Sequence, residues 1–338
     1  MKPVAIVNPD FDNYLSIRYE FTNVCNYNCN YCWPDSHAGT TKWPDFDLIC
    51  KNFDHLITVY KTYFNKKIIS IELTGGEPTL WPKLGEFVKF LKEKHDVRVS
   101  VDTNGSRTLR WWKEYSQYFN DIAISMHHEF SNVNHIIELL DLIYNTDTTI
   151  GGVSVCMDPA AWNKCVELVD LLVAHPTPWL VKSTTLVSST GATLGVIKNY
   201  TSDQLDYLKN KIKKIPPNEY INKMRNLNNI QEDKTQAVIT WEDGTCSPYS
   251  SFVVVSKKLN NFFGWKCNLG VDRVNVQRDG SLQGACGETK VHGNNYFKIH
   301  DIDFAEKFTP DVIKPIKCSM LICGCKTEMR ITKHKLNV

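Results

Sequence analysis

Tyr14 to Phe21 places apolar side chains at every second position, the period of a strand, whereas residues 46–64 space them three and four apart, the period of a helix. The two signals then alternate. Strand-like runs at 67–74, 97–102, 121–126, 149–156 and 179–184 are followed, except for the last, by helical patterns at 84–95, 109–119, 133–144 and 161–174. The strands read as apolar on both sides. Six such steps predict an α/β fold of parallel strands with helices outside them. In that architecture the functional loops follow the C-terminal ends of the strands.

The pattern changes after residue 195. Residues 200–228 are rich in lysine and asparagine, contain Pro216-Pro217, and predict a helix and a connector. From about Gln236 aromatic, strand-like runs return at 237–241, 251–256 and 262–265. Residues 272–282 read as a hairpin turning at Asp279-Gly280. The expected organisation is a domain over 1–195, a helical connector over 196–235 and a small α+β lobe over 236–338. There is no internal repeat and no low-complexity tract.

Candidate chemistry begins at the end of the first long strand. Cys25, Cys29 and Cys32 form a C-x3-C-x2-C pattern with Tyr31 before the last cysteine. Three thiolates hold three irons of a four-iron cube and leave the fourth without a protein ligand, an open position where a small molecule can react. A zinc site wants four N/S ligands, usually in paired C-x2-C units, and a ferredoxin-type run has C-x2-C-x2-C with a fourth cysteine before proline. Neither spacing is met. A disulfide framework does not suit 338 residues without a secretory signal. Twelve cysteines with a net charge of +2 and no run near ~20 apolar residues point to a cytoplasmic, metal-binding chain without a membrane span. The small net charge gives no indication of broad nucleic-acid binding. Cys50, Cys156, Cys165 and Cys246 stand alone and read as buried small hydrophobes.

The second strand-like run ends in Gly75-Gly76-Glu77-Pro78, where two glycines let the backbone approach a ligand and a carboxylate can accept bonds from an ammonium. Together with the cysteine loop and its tyrosine, this motif resembles the radical S-adenosylmethionine (radical SAM) superfamily over residues 14–185. The resemblance implies a partial (β/α)6 TIM-like barrel. It also implies a [4Fe-4S] cluster on Cys25, Cys29 and Cys32, whose open iron chelates the methionine part of S-adenosylmethionine, with Tyr31, Gly75, Gly76, Glu77 and Pro78 around the cofactor. Asn104, Ser125 and His127, at the ends of the next two strands, are expected at its ribose and carboxylate. Loop capping is the bland reading of these polar residues. Lys182 is a weaker candidate for the barrel mouth. The implied chemistry is reductive cleavage of S-adenosylmethionine to a 5′-deoxyadenosyl radical that abstracts hydrogen from substrate, with electrons from a donor such as flavodoxin or ferredoxin.

Cys267, Cys286, Cys318, Cys323 and Cys325 form a second group around the predicted hairpin. They resemble the shortened auxiliary domain called twitch, related to SPASM, which implies an auxiliary [4Fe-4S] cluster on four of the five. A zinc knuckle is the alternative. The expected substrate is a small molecule, a nucleotide or modified base, or a peptide. The competing function is a non-catalytic iron–sulfur or zinc protein gripping nucleic acid through Lys209–Lys214 and exposed aromatics.

Overall fold

The computed structural model describes residues 1–32, 37–40, 42–146, 150–187, 199–227, 237–249, 254–255, 257–283, 297–323 and 330–336. Strand β1 (Pro3–Val7) precedes the alternating region: β2 (Tyr14–Thr22), α1 (Phe46–Tyr63), β3 (Ile68–Gly75), α2 (Leu84–His95), β4 (Arg98–Thr103), α3 (Leu109–Tyr115), β5 (Asp121–Met126), α4 (Val133–Tyr144), β6 (Ile150–Met157), α5 (Trp162–Ala174) and β7 (Leu180–Thr185). The connector forms α6 (Ser202–Lys209), a short β8 (Ile212–Lys214) and α7 (Asn218–Leu227). The C-terminal part adds β9 (Val238–Trp241), β10 (Cys246–Pro248), β11 (Lys266–Cys267), β12 (Arg273–Val276), β13 (Leu282–Gln283), β14 (Ile316–Lys317) and β15 (Lys333–His334).

Strands β2 to β7 lie side by side in chain order, all parallel, in an open nine-stranded sheet that β8 closes off at one edge and β12–β13 at the other. Several helices, α1 and α4 among them, begin where a side chain takes up the first free N–H groups. Asp45 accepts from the Leu48 N–H at 2.9 Å before α1, and Asn132 caps the Asn134 and His135 N–H groups before α4. On α1, Ile49, Phe53, Leu56, Ile57 and Tyr60 make the buried stripe. It packs on Ile17, Tyr19, Ile71 and Leu73 in a core that continues through Val99, Ile122, Val153 and Val181.

That core lies on one face of the sheet only. The expectation that the strands are apolar on both sides is not met: the opposite face carries Arg18, Glu72, Ser100, Asp102, Asp121, Ser125, Lys182 and Thr184, all at least partly open to solvent. A curved open sheet with helices on its outside leaves its inner face to water, so period-2 alternation returns.

The expected division at residue 236 is also revised. Strand β1 leaves the first domain to pair antiparallel with β9 and β15, in a six-stranded sheet ordered β10-β9-β1-β15-β11-β14. Conversely, the hairpin β12–β13 joins the main sheet, with β12 parallel to β2. Both exchanges are long-range pairings, which local periodicity does not encode. The buried ion pair of Lys66 and Asp272 at 2.9 Å and the bond from Arg273 Nη1 to Ser16 Oγ at 2.7 Å fasten β12 in place. Val254 and Val255 lie in a helical turn instead of the expected strand, and residues 262–265 in a turn.

Candidate active site

The cysteine loop leaves the C-terminal end of β2. Thr22 Oγ1 accepts the Val24 N–H at 2.9 Å and turns the chain; Val24 then pairs with Ala38, which closes the loop at its far side. Cys29 is buried, and Cys25 and Cys32 are half-buried. The Cys32 N–H donates to the Cys29 carbonyl at 3.0 Å, making one turn of the segment between them. Burial first, then the charge of Glu129, pushes the Cys29 thiol up to about 12. Burial also raises Cys25, against the N–H of Tyr27. The Cys32 sulfur raises both Cys25 and Cys29, and Cys25 raises Cys29, so the three sulfurs lie close enough to feel one another's charge. Such a set resists holding three bare negative charges and is relieved by a cationic iron core, so the donors fit an iron–sulfur cluster. Among the described residues no three His, Cys, Asp or Glu side chains converge tightly enough for a single metal ion. A cube does not ask for that convergence, because each thiolate binds a different iron.

The end of β3 touches this loop backbone to backbone. The Gly76 N–H donates to the Thr22 carbonyl at 2.6 Å and the Glu77 N–H to the Val24 carbonyl at 2.8 Å. Gly75 has φ +132, and a Cβ on it would lie 2.2 Å from the Thr22 carbonyl oxygen, so only glycine fits. Pro78 opens a short helical turn, Pro78–Leu80. The Glu77 side chain turns inward. Its carboxylate is fully buried and accepts from the Thr79 N–H (3.0 Å), Thr79 Oγ1 (2.6 Å), Thr103 Oγ1 (2.8 Å) and the Asn104 N–H (2.6 Å). Burial raises its pKa against those four bonds. The side chain braces the ends of β3 and β4.

Asn104 is likewise committed. Its Nδ2 donates to Asn26 Oδ1 at 2.9 Å and lies 3.8 Å from Cys25 Sγ, and its Oδ1 accepts the Ser106 N–H at 2.9 Å.

After β5, His127 meets the cysteine loop. The Tyr31 hydroxyl pairs with His127 Nδ1 at 3.0 Å with the rings stacked at 18°, and Tyr27 stands edge-on to the same imidazole. Burial, with His128 adding to it, lowers His127 to about 4, while burial raises Tyr31. At neutral pH the phenol therefore donates to a neutral imidazole. Ser125 lies two residues back on the inner face of the sheet, half-buried. Two neighbours escaped sequence reasoning. His128 pairs with Asp158 at 3.0 Å, both buried, at the ends of β5 and β6. Cys156, taken as an isolated hydrophobe, ends β6 inside the fields of Cys29 and Cys32, and burial pushes its thiol up to about 12.

Below the loop, the inner face of the sheet forms a charged trough. Arg18 and Glu72 approach to 3.9 Å, and Arg273 reaches the same carboxylate at 4.0 Å. Burial and then Glu72 raise Asp102 to about 6 against the pull of Arg18. Burial raises Asp121 to about 6 against Lys182, with Asp102 adding to it. Both carboxyls are open to water in the trough yet walled by neighbouring strands. A raised folded-state value means that stability is lost as pH climbs from the unfolded value through about 6. Asp121→Asn is therefore expected to raise the melting temperature above pH 6, with the gain shrinking toward pH 4. A pH series of thermal melts checks this; a gain that grows on acidification contradicts it.

In the C-terminal sheet, β11 pairs with β14 and sets Cys267 opposite Ile316, while the Cys318 N–H donates to the Trp265 carbonyl at 2.8 Å. Cys267, Cys318 and Cys323 thereby line one small pocket with Phe262, Leu269 and Lys333. Lys333 is 1% exposed, and its ammonium lies 4.6 Å over the Phe262 ring. Cys286 and Cys325 lie outside the described residues.

Residues 19–142 match the model of the Radical SAM superfamily. Over this segment the chain is similar to that superfamily. Curated relatives match part of the chain. GTP 3′,8-cyclase of Haemophilus influenzae (strain PittEE) is 27% identical over 144 residues, 40% of this chain and 42% of the relative. The enzyme of that name from Cronobacter sakazakii is 33% identical over 107 residues, 30% and 31% of the two chains. The matches thus span less than half the length of those curated relatives. The crystal structure of Streptococcus suis SuiB bound to precursor peptide SuiA shares the fold, with a TM-score of 0.50, 13% identity, and coverage of 87% of this chain and 64% of that one. Among the described residues no helix is long and apolar enough to cross a membrane.

Proposed function

We propose that the chain is a cytoplasmic radical SAM enzyme that cleaves S-adenosylmethionine reductively and acts on a small polar substrate, a nucleotide being the leading class. The carrying observation is the meeting of three thiols with the backbone of Gly75-Gly76 directly above a charged trough. Cys25, Cys29 and Cys32 would hold a [4Fe-4S] cluster, which would supply the one-electron chemistry of reductive S-adenosylmethionine cleavage. The chain's own residues do the rest. Glycines 75 and 76 bring peptide groups to the loop without a side chain in the way. Tyr31 and His127 form an aromatic wall with an imidazole N–H available to a ligand. Ser125 stands at the boundary between that wall and the trough. Asp102, Asp121, Lys182 and Arg18 offer charged and hydrogen-bonding groups to a polar molecule.

The GTP 3′,8-cyclase matches support a nucleotide, and the trough's alternating charges suit one better than an apolar peptide. Cys267, Cys318 and Cys323, with Lys333 beside them, support an auxiliary cluster as the C-terminal occupant, with Cys286 or Cys325 as the remaining ligand. The electron donor is a flavodoxin or ferredoxin. The nucleic-acid reading loses its basic run: Lys209 pairs with Asp206, Lys213 lies 3.5 Å over the Tyr207 ring, and Lys214 donates to the Thr177 carbonyl at 2.9 Å.

Anaerobic reconstitution with iron and sulfide tests the reading. With dithionite and S-adenosylmethionine the protein is expected to form 5′-deoxyadenosine, and iron counting is expected to give about eight per chain for two cubes. No 5′-deoxyadenosine contradicts the enzyme; about four irons contradict the auxiliary cluster.

A further inference from the structure

We infer that Asn104 is a positioning residue for the cluster, an N–H···S donor to Cys25 that makes the cluster easier to reduce. The inference rests on the radical SAM reading of the cysteine loop. Asn104 stands at the end of β4, 5% exposed, and it is bonded on three sides. Its peptide N–H is held by the buried Glu77 carboxylate at 2.6 Å. Its Oδ1 is held by the Ser106 N–H at 2.9 Å, and Asn26 Nδ2 bonds Ser106 Oγ at 3.0 Å. Those contacts fix the amide plane and fix which end is nitrogen. Nδ2 must then face the cysteine loop, where it has two acceptors, Asn26 Oδ1 and Cys25 Sγ, at 2.9 and 3.8 Å. Cys25 also receives the Tyr27 N–H at 3.3 Å, so this sulfur has two donors from two separate elements of the chain.

The consequence is electrostatic. An N–H dipole aimed at a sulfur stabilises negative charge there, and a reduced cluster carries one more negative charge than an oxidised one. Hydrogen bonds to the sulfurs are among the determinants of cluster potential. The donor sits on rigid, buried strand-end backbone and not on the loop itself, so it keeps its aim when the loop rearranges around iron. Asn104 therefore serves the cluster and not the ribose.

The test is an EPR-monitored redox titration of the reconstituted full chain, following the signal that changes when S-adenosylmethionine is added. Asn104→Asp keeps the acceptor for Ser106 and the shape but cannot donate to sulfur; Asn104→Ala removes the side chain. Both are expected to keep iron content and to move the midpoint potential of that signal to more negative values, and 5′-deoxyadenosine formation with a weaker reductant than dithionite is expected to fall in step. Equal potentials in the wild type and both variants overturn the inference. So does loss of iron from both variants, because Asn104 then acts by holding the loop and not through its N–H. A wild-type protein with no signal that responds to S-adenosylmethionine instead overturns the radical SAM reading beneath it.

Discussion

Replacing Cys29 by alanine removes about four irons per chain and reduces 5′-deoxyadenosine formation to background. Cys29 is the most enclosed of the three loop thiols, at 4% exposure, and lies between Cys25 and Cys32 in the chain. The two remaining thiols cannot hold a cube by three irons. Cys156 does not replace it, since it is anchored in the strand end of β6 and cannot follow the loop. The C-terminal pocket draws on separate cysteines, so iron held by the proposed auxiliary cluster is expected to remain and the loss to be partial. Cys246→Ser is the control, because that thiol is exposed and distant in sequence from both groups. Iron content and product formation are expected to be unchanged there. A Cys29→Ala protein that retains both full iron and product formation would refute the assignment of this loop.

Gly75→Ala carries the second large effect, and it is one of stability. The φ of +132 alone costs an alanine roughly 1–3 kcal/mol. The added Cβ also meets a backbone oxygen, that of Thr22, at 2.2 Å. No side-chain rotation relieves this contact. The ends of β2 and β3 must move apart, which loosens the bonds from Gly76 to Thr22 and from Glu77 to Val24. A total loss of about 3 kcal/mol or more follows. Denaturant unfolding of the metal-free chain measures it, and iron uptake is expected to fall because the displaced segment carries the cysteine loop. Gly244→Ala is the comparison: its φ is +81 but nothing lies within 4 Å of its Cβ, so only the backbone strain remains. Equal losses at the two positions would show that the Thr22 contact is not what makes Gly75 necessary.

Some of this was legible along the chain. The helices 84–95 and 133–144 and the strand 121–126 appear in the structure at the expected residues, because each has a clean period and a turn or cap at both ends. The position of the cysteine loop and of Gly75 at strand ends was readable for the same reason. Strand partners were not. Strand β1 and the two-residue strands β11, β14 and β15 are too short to show a period, and the pairing of β1 with β15 spans nearly the whole chain. The direction of a side chain was equally hidden. The motif around Glu77 identifies a carboxylate near the cofactor, but Thr79, Thr103 and the Asn104 N–H turn it inward, and those partners lie on two loops. The trough left a trace that a two-sided view of the strands obscured. Arg18 and Glu72 fall between apolar positions, and Asp102, Asp121 and Lys182 each adjoin one, which is the mark of a face left to water. Lys333 left none, since an isolated lysine near a chain end reads as solvated.

The central claim is a cube with one iron open to S-adenosylmethionine, held by Cys25, Cys29 and Cys32. EPR spectroscopy of the anaerobically reconstituted, dithionite-reduced protein tests it most directly, recorded before and after S-adenosylmethionine is added. The account predicts a four-iron signal whose g-values shift on addition, and a Cys29→Ala protein in which that responsive signal is missing. A spectrum that does not change on addition, or one that Cys29→Ala leaves intact, would contradict it.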